Sequence, residues 1–273
     1  MIRSLLSITA ASLALPLLSS CSKSDSSQSL LITGSSTVAP VVADAAQQFE
    51  TENPGVRIDV QTGGSSRGIN DVRTELADLG MASRALKKDE SDIQSETIAM
   101  DGVCLIVHEN NPVTGLTKQE IATLYQKRQT NWKSFGGSDA EIVVASKAAG
   151  RATLEVFLDY TELDSADIQA DVIVGENQQA IKTVAGNPNA IAYVSIGAAA
   201  SEAEAGTPIK LISTDGVEPT TENVAKGVFP ITRPLNIITK GEVTDLSLSF
   251  LNYLKSGEIR DIVETHLYVP VSQ

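Results

Sequence analysis

Leu30-Leu31-Ile32-Thr33-Gly34-Ser35-Ser36-Thr37-Val38 leads directly into the helical stretch Ala39–Glu52. Leu30–Thr33 reads as a short strand, Gly34 permits a tight turn, and the helix is stopped by Asn53-Pro54-Gly55. The same rhythm continues along the chain. Arg57–Gln61, Val103–Val107, Ile142–Ala145, Val172–Val174, Ala190–Val194, Ile209–Ile212 and Leu235–Thr239 read as strands, short and β-branched. Thr117–Tyr125, Thr153–Tyr160 and Gln178–Val184 show helical spacing, and Asp245–Leu254 with Ile259–His266 makes a helical C-terminal region broken near Ser256-Gly257. This alternation predicts an α/β architecture. In open α/β sheets ligands bind beyond the carboxyl ends of the strands, where the next helix turns its unpaired N–H groups and positive dipole end outward. Function is therefore expected in the turns that follow strands.

Three such turns are polar. Gly34-Ser35-Ser36-Thr37-Val38 offers hydroxyls that cap the helix or donate to an anion. Gly63-Gly64-Ser65-Ser66-Arg67-Gly68 combines exposed backbone N–H groups with hydroxyls, but lacks the Gly-Lys-Ser/Thr ending of a Walker loop and the spacing of a dinucleotide fingerprint. Ser146-Lys147-Ala148-Ala149-Gly150-Arg151-Ala152-Thr153 follows a strand and carries two cations. Plain caps, a flexible loop and surface charges are the structural alternatives for the three.

Composition narrows the function classes. The 273 residues suit two lobes rather than one domain, and 42% hydrophobic residues with only 4% aromatics predict aliphatic cores. A net charge of −13, with Lys and Arg scattered, excludes a nucleic-acid binder. It does not exclude a small-anion binder, because salt screens distant charges beyond about 8–10 Å while amide donors act at contact distance. At the N-terminus, Arg3, the Leu/Ala/Ser-rich run Leu5–Leu18 and small residues before Cys21 read as an export signal over residues 1–20. Leu18-Ser19-Ser20-Cys21 resembles the bacterial lipoprotein box, which makes Cys21 the lipidation site; an ordinary signal peptide with an incidental Cys21 is the alternative. Two acyl chains anchor stably where one binds marginally. The stretch to Ser29 is polar and suits a tether over residues 21–29. Cys104 sits inside an apolar run and is expected buried and unpaired, with no disulfide framework and no metal-ligand spacing.

Motifs stand in order along the chain: Gly64-Ser65-Ser66-Arg67-Gly68-Ile69, Asp78-Leu79-Gly80-Met81-Ala82-Ser83-Arg84, Asp101-Gly102-Val103, Thr130-Asn131-Trp132, Asn189-Ala190-Ile191-Ala192-Tyr193-Val194-Ser195 and Pro230-Ile231-Thr232-Arg233-Pro234-Leu235. Together with Ile32–Val38 they resemble the phosphate-binding components of bacterial phosphate ABC transporters, in the periplasmic-binding-protein superfamily. The resemblance covers nearly the whole chain after the signal. It implies a type II-like fold of two α/β lobes about a hinge, with lobe one built from residues 30–107 and 224–273 and lobe two from 108–223. It also implies an oxyanion clamped between the lobes, a permease as partner, a monomer, no cofactor or metal, and a location outside the cytoplasm on a membrane anchor.

Carried over by position, the ligand groups are Ser36, Thr37 and Val38 in the first turn, Ser65 and Ser66 in the second, Ser83 and Arg84 in the turn that ends the Asp78–Arg84 motif, and Lys147, Arg151, Ala152 and Thr153 in the third. There the chain departs from the family's Arg followed by a Ser-Gly-Thr run. Lys147 keeps the charge without the two-pronged guanidinium, and Ala152 adds a methyl group. Arg151 either replaces a hydroxyl donor or fills the cleft. Monoprotonated phosphate also requires an acceptor, for which Asp78 and Asp101 are candidates; without one, sulfate is the better ligand. The competing functions are a relative that has turned from uptake to sensing or adhesion, and an enzyme. The two histidines, His108 and His266, lie in unrelated contexts and support no catalytic arrangement.

Overall fold

The structure, a computed structural model, describes residues 28–271; the export signal, Cys21 and the tether through Ser27 lie outside the described residues. Gln28 and Ser29, at the end of the expected tether, open the first strand. The elements in order are β1 (Gln28–Gly34), α1 (Ala39–Glu52), β2 (Val56–Thr62), α2 (Ser65–Arg73), β3 (Leu79–Ala82), β4 (Gln94–His108), β5 (Gly115–Leu116), α3 (Lys118–Tyr125), β6 (Val143–Lys147) and α4 (Ala152–Thr161). Then come β7 (Val172–Val174), α5 (Asn177–Ala185), β8 (Ala190–Ser195), α6 (Ile196–Glu204), β9 (Ile209–Thr214), α7 (Thr221–Ala225), β10 (Thr232–Thr239), α8 (Asp245–Lys255), α9 (Arg260–Thr265) and β11 (Val269–Pro270). The strands and helices read from the apolar pattern are all present, with ends shifted by at most three residues except in β4, which begins at Gln94 rather than Val103.

The strands run in the order β2-β1-β3-β10-β4-β8-β6-β7, with β9 also on β4. β1 pairs in parallel with β2 and β3, whereas β10 is antiparallel to both β3 and β4. β4 is the long element. Its first part, Gln94–Gly102, pairs with β10, and Val103–Val107 pairs with β8. One strand thus passes through both lobes.

Two apolar clusters define those lobes. The first gathers β1, α1, β3, β10 and α8 around Ile32, Val42, Phe49, Met81, Ile237 and Phe250. The second gathers Val103–Val107, Ile121, Trp132, Phe157, Ile191 and Tyr193, and also takes Val224, Phe229 and Ile231. The chain changes cluster between Ala99 and Val103 and again between Ile231 and Leu235. The cores are aliphatic as the composition required, and the few aromatics sit where they position something. Phe157 stacks on Tyr193 with ring centroids 3.9 Å apart, and the Tyr193 hydroxyl meets Ser146 Oγ at 2.7 Å and accepts from the Lys147 N–H at 3.0 Å. The third polar turn is therefore pinned to the core of its lobe. Cys104 is buried and free, and burial pushes its thiol pKa up.

β3 and α6 escaped the pattern, as did the short β5, α7 and β11. β3 has four residues including Gly80, which brings α2 close: a Cβ there would lie 2.8 Å from the Gly68 carbonyl oxygen. α6 follows β8 without a turn, because Ser195 ends the strand and caps the helix at the Ala198 N–H, 3.3 Å away. Lys88–Glu90 is a single 3-10 turn and Glu90 is buried, because its carboxylate binds Arg84 at 2.7 Å through both oxygens and accepts the Lys87 N–H.

Candidate functional site

Arg233, at the start of β10, lies opposite Asp101 of β4 in the strand register. Its side chain is 1% exposed and that of Asp101 is also 1% exposed. Asp101 Oδ2 accepts from Nε at 3.1 Å and from Nη2 at 2.9 Å. The remaining guanidinium donors reach three separate turns. Nη1 donates to Thr153 Oγ1 at 2.9 Å and Ser83 Oγ at 3.3 Å, and Nη2 donates to Thr37 Oγ1 at 3.1 Å. The hydroxyls are tied to one another behind it. Ser35 Oγ donates to Ser83 Oγ at 3.0 Å, Ser65 Oγ accepts the Ser83 N–H at 3.1 Å, and Asn177 Nδ2 donates to Thr37 Oγ1 at 3.1 Å.

A second cation joins this cluster. Lys147, at the end of β6, is 3% exposed, and its Nζ donates to the Glu176 carbonyl at 2.9 Å and to Asn177 Oδ1 at 3.2 Å. Both partners are neutral. Burial first, then the Arg233 charge, pull its pKa down to about 7, with Glu176 acting in the opposite sense. Arg233 has a carboxylate and Lys147 has none, so the cluster is electropositive inside a chain of net charge −13.

The helix ends agree. Helices α3, α6, α7 and α8 begin with Thr117, Ser195, Thr220 and Thr244, whose side chains cap them. Helices α1, α2 and α4, which begin at the three polar turns, have Val38, Gly64 and Arg151 at the cap position and no capping side chain. Their first-turn N–H groups lack the side-chain acceptor that helix starts normally recruit. Three positive dipole ends thus rise from the same turns as the hydroxyls.

The sequence matches the model of the PBP superfamily domain over residues 21–258. The chain belongs to the PBP superfamily. It is 32% identical over 251 residues to the phosphate-binding protein PstS of Bacillus subtilis, spanning 90% of this chain and 82% of that one. To the protein of the same name from Borreliella burgdorferi it is 26% identical over 258 residues, 91% of this chain and 92% of that one. Among solved structures, one from Clostridium perfringens, described as a phosphate ABC transporter substrate-binding protein with bound phosphate, superposes with a TM-score of 0.84 at 34% identity. It covers 90% of this chain and all of that one. These matches bear out the family read from the sequence, its two-lobed α/β fold, and a solute-binding rather than catalytic role.

In this PBP superfamily member the eleven expected site residues fall into two groups. Thr37, Ser65, Ser83, Lys147 and Thr153 come together around Arg233, with Val38 and Ala152 buried at the starts of α1 and α4. Ser36, Ser66, Arg84 and Arg151 lie around the rim. Ser36 lines a cleft of about 230 Å³ with Glu176, Asn177, His266 and Tyr268. Arg151 Nη1 pairs with Glu176 Oε1 at 2.5 Å, within its own lobe. Of the two carboxylates considered as proton acceptors, Asp78 accepts the Leu31 N–H at 2.7 Å, away from the cluster, while Asp101 is held by Arg233. Arg233, Asn177 and Ser35 were not among the expected ligands. Arg233 stood in the quoted Pro230–Leu235 motif, but no local spacing ties a lone Arg before a proline to turns far away in sequence.

The rim also carries contacts between the lobes. The Ser66 N–H donates to the Gly150 carbonyl at 3.2 Å, and Glu155 of α4 pairs with Arg84 at 2.9 Å and Lys87 at 2.6 Å. Gly64, at φ 98°, sits under the third turn: a Cβ there would come 2.9 Å from both the Gly150 carbonyl oxygen and Arg151 Cδ. Gly64→Ala therefore both strains the turn and wedges the lobes apart. We expect it to weaken ligand binding at least tenfold through faster release, measured by stopped-flow displacement; unchanged release would mean the lobes close without this contact. Glu155→Gln removes the charge that meets Arg84 and Lys87. It is expected to speed release several-fold at low salt and little at high salt, because a partly exposed ion pair contributes about 1 kcal/mol and is screened. A salt-independent effect would count against the pair.

Proposed function

We propose that this chain captures inorganic phosphate, or a closely related oxyanion, in the cleft between its lobes and delivers it to the permease of an ABC transporter. The observation that carries this reading is the convergence of Thr37, Ser83 and Thr153 on the buried Arg233, with Lys147 alongside and three uncapped helix starts behind them. Such a set supplies the charged and neutral donors that an oxyanion needs in place of water. Micromolar binding requires about 8 kcal/mol. Hydrogen bonds to charged groups contribute about 1.5–3 kcal/mol each, so two cations and several amides and hydroxyls reach that range. The relatives whose names state phosphate binding support phosphate as the first ligand to try. Asp101 is engaged by Arg233 and Asp78 is remote, which favours keeping sulfate beside it.

The lobes hinge, on this reading, where the chain changes cluster. We place the hinge on β4 near Gly102 and at Ile231–Thr232, upstream of Val107 and downstream of Val224. Titration calorimetry with phosphate and with sulfate, coupled to small-angle scattering, tests the proposal. Saturable heat with a fall in radius of gyration is expected, and no heat from either anion would sink it.

The same reading makes the chain an exported, monomeric lipoprotein held to a membrane through Cys21, facing the periplasm or cell exterior. Cys21→Ala is expected to move the protein to the soluble fraction or stall its processing, scored by fractionation; unchanged membrane association would remove the anchor.

A further inference from the structure

We infer that Lys147 couples oxyanion capture to the uptake of a proton, entering the complex as an ammonium whatever its state beforehand. This rests on the reading of the cluster as an oxyanion site, and it starts from what surrounds Nζ. The group is buried at the end of β6, and its two acceptors, the Glu176 carbonyl and the Asn177 side-chain oxygen, carry no charge. Every charged or titratable neighbour is already engaged. Arg233, from β10, faces Lys147 as a like charge and keeps Asp101 of β4 for itself. The Glu176 carboxylate, ahead of α5, is taken by Arg151, ahead of α4. The Tyr193 hydroxyl of β8 is used by Ser146 and by the Lys147 backbone N–H.

An ammonium so placed gains little from its surroundings, and burial with the Arg233 charge draws it down to about 7. A doubly charged oxyanion reverses this. It puts opposite charge at contact distance and gives the side chain a counter-ion. The balance is simple. Above about pH 7 the free protein holds Lys147 as the amine; on binding, the amine takes one proton from the buffer and becomes the ammonium that donates to the anion. Below that pH the proton is already in place and none is taken up. No bond is formed or broken in the anion itself. Lys147 thereby makes affinity fall by up to tenfold per pH unit above about 7, a dependence that an Arg at this position cannot produce, because its guanidinium stays charged.

The test is titration calorimetry of the full chain with inorganic phosphate, at about pH 8 and about pH 6, each in two phosphate-free buffers of very different ionisation enthalpy. At the higher pH, binding enthalpy is expected to vary with buffer by the amount for close to one proton taken up; at the lower pH sulfate is expected to show much less, whereas phosphate, mostly monoanionic there, gives up its own proton on binding as the dianion. Sulfate, which carries no titrating proton in this range, separates the protein's proton from the ligand's and is expected to show the same uptake where it binds. Lys147→Arg, whatever its affinity, is expected to take up none at the higher pH. Saturable binding with the same enthalpy in both buffers overturns proton uptake while leaving oxyanion binding intact, and an unchanged uptake in Lys147→Arg assigns it to another group and overturns the role of Lys147. If neither anion gives saturable heat at either pH, the oxyanion reading fails and takes this inference with it. The wild-type measurement stands alone should the variant not fold.

Discussion

Arg233→Met is expected to abolish measurable oxyanion binding and to destabilise the ligand-free fold by about 3–5 kcal/mol. Both effects have one cause. The guanidinium is the common partner of Thr37, Ser83 and Thr153 and the counter-charge of Asp101. Methionine fills much of its volume but leaves Asp101 charged in a site almost closed to water, where the Gly197 N–H, at 3.4 Å, is its remaining hydrogen-bond donor among the described residues. Removing one partner of a buried pair costs far more than the pair contributes, because the other charge is left without compensation. A second change therefore separates the two effects. Asp101→Asn in the Arg233→Met background removes the stranded charge and is expected to recover a large part of the stability but none of the binding. Urea denaturation and calorimetry on the three proteins check this. An Arg233→Met variant within about 1 kcal/mol of the parent that still binds phosphate would show that the cluster is not the site.

Lys147→Met is expected to change stability in the opposite direction. Binding should weaken about tenfold to a hundredfold, the equivalent of one charge-assisted hydrogen bond of about 1.5–3 kcal/mol. The ligand-free protein, however, should become more stable. Lys147 has a folded pKa of about 7, below the ordinary lysine value of about 10.4. Below about 7 it is charged in both states and the folded state bears the full cost of burying it. Between about 7 and 10 the unfolded chain holds the proton and the folded chain does not, so stability rises with pH. Above that window both are neutral and the cost is gone. Lys147→Met is expected to erase the rise, and to be most stabilising at and below neutral pH. Denaturation midpoints across that range read it out. A variant that is less stable than the parent at neutral pH would mean that Lys147 has a compensating partner.

The alternation of strands and helices was legible because each element carries its own apolar period. β3 and α6 were not, since one is four residues long with a glycine in it and the other shares Ser195 with the strand before it. The hydroxyls of the site were legible for a similar reason: Thr37, Ser65 and Thr153 stand in turns that announce themselves by glycine and by position after a strand. Arg233 and Asn177 were not, because their part depends on which strand lies next to which. Arg233 meets Asp101 through a pairing of β10 with β4, and no local spacing encodes that pairing. Arg84 shows the converse. It sits beside Ser83 in sequence, yet Glu90 and Glu155 hold it on the rim while Ser83 turns inward. Two adjacent residues leaving a strand point to opposite sides, and sequence proximity to a ligand group says little about the neighbour.

The passage of β4 through both lobes has a consequence for how the chain is made. Everything from Val103 to Ile231 in the second cluster is contiguous, so that lobe can complete itself as soon as those residues have been synthesised. The other lobe cannot. Its sheet joins Ala82 to Asn236, and its apolar cluster draws on Leu235, Phe250 and Tyr268. Strand β3 must wait with one edge unpaired while most of the chain emerges, and an unpaired edge is an invitation to mispairing and aggregation. Arg233 arrives with that same late strand. A nascent or truncated chain therefore has one finished lobe, one open sheet and no anion site, and the capacity to hold a ligand is acquired at the same step that closes the vulnerable edge.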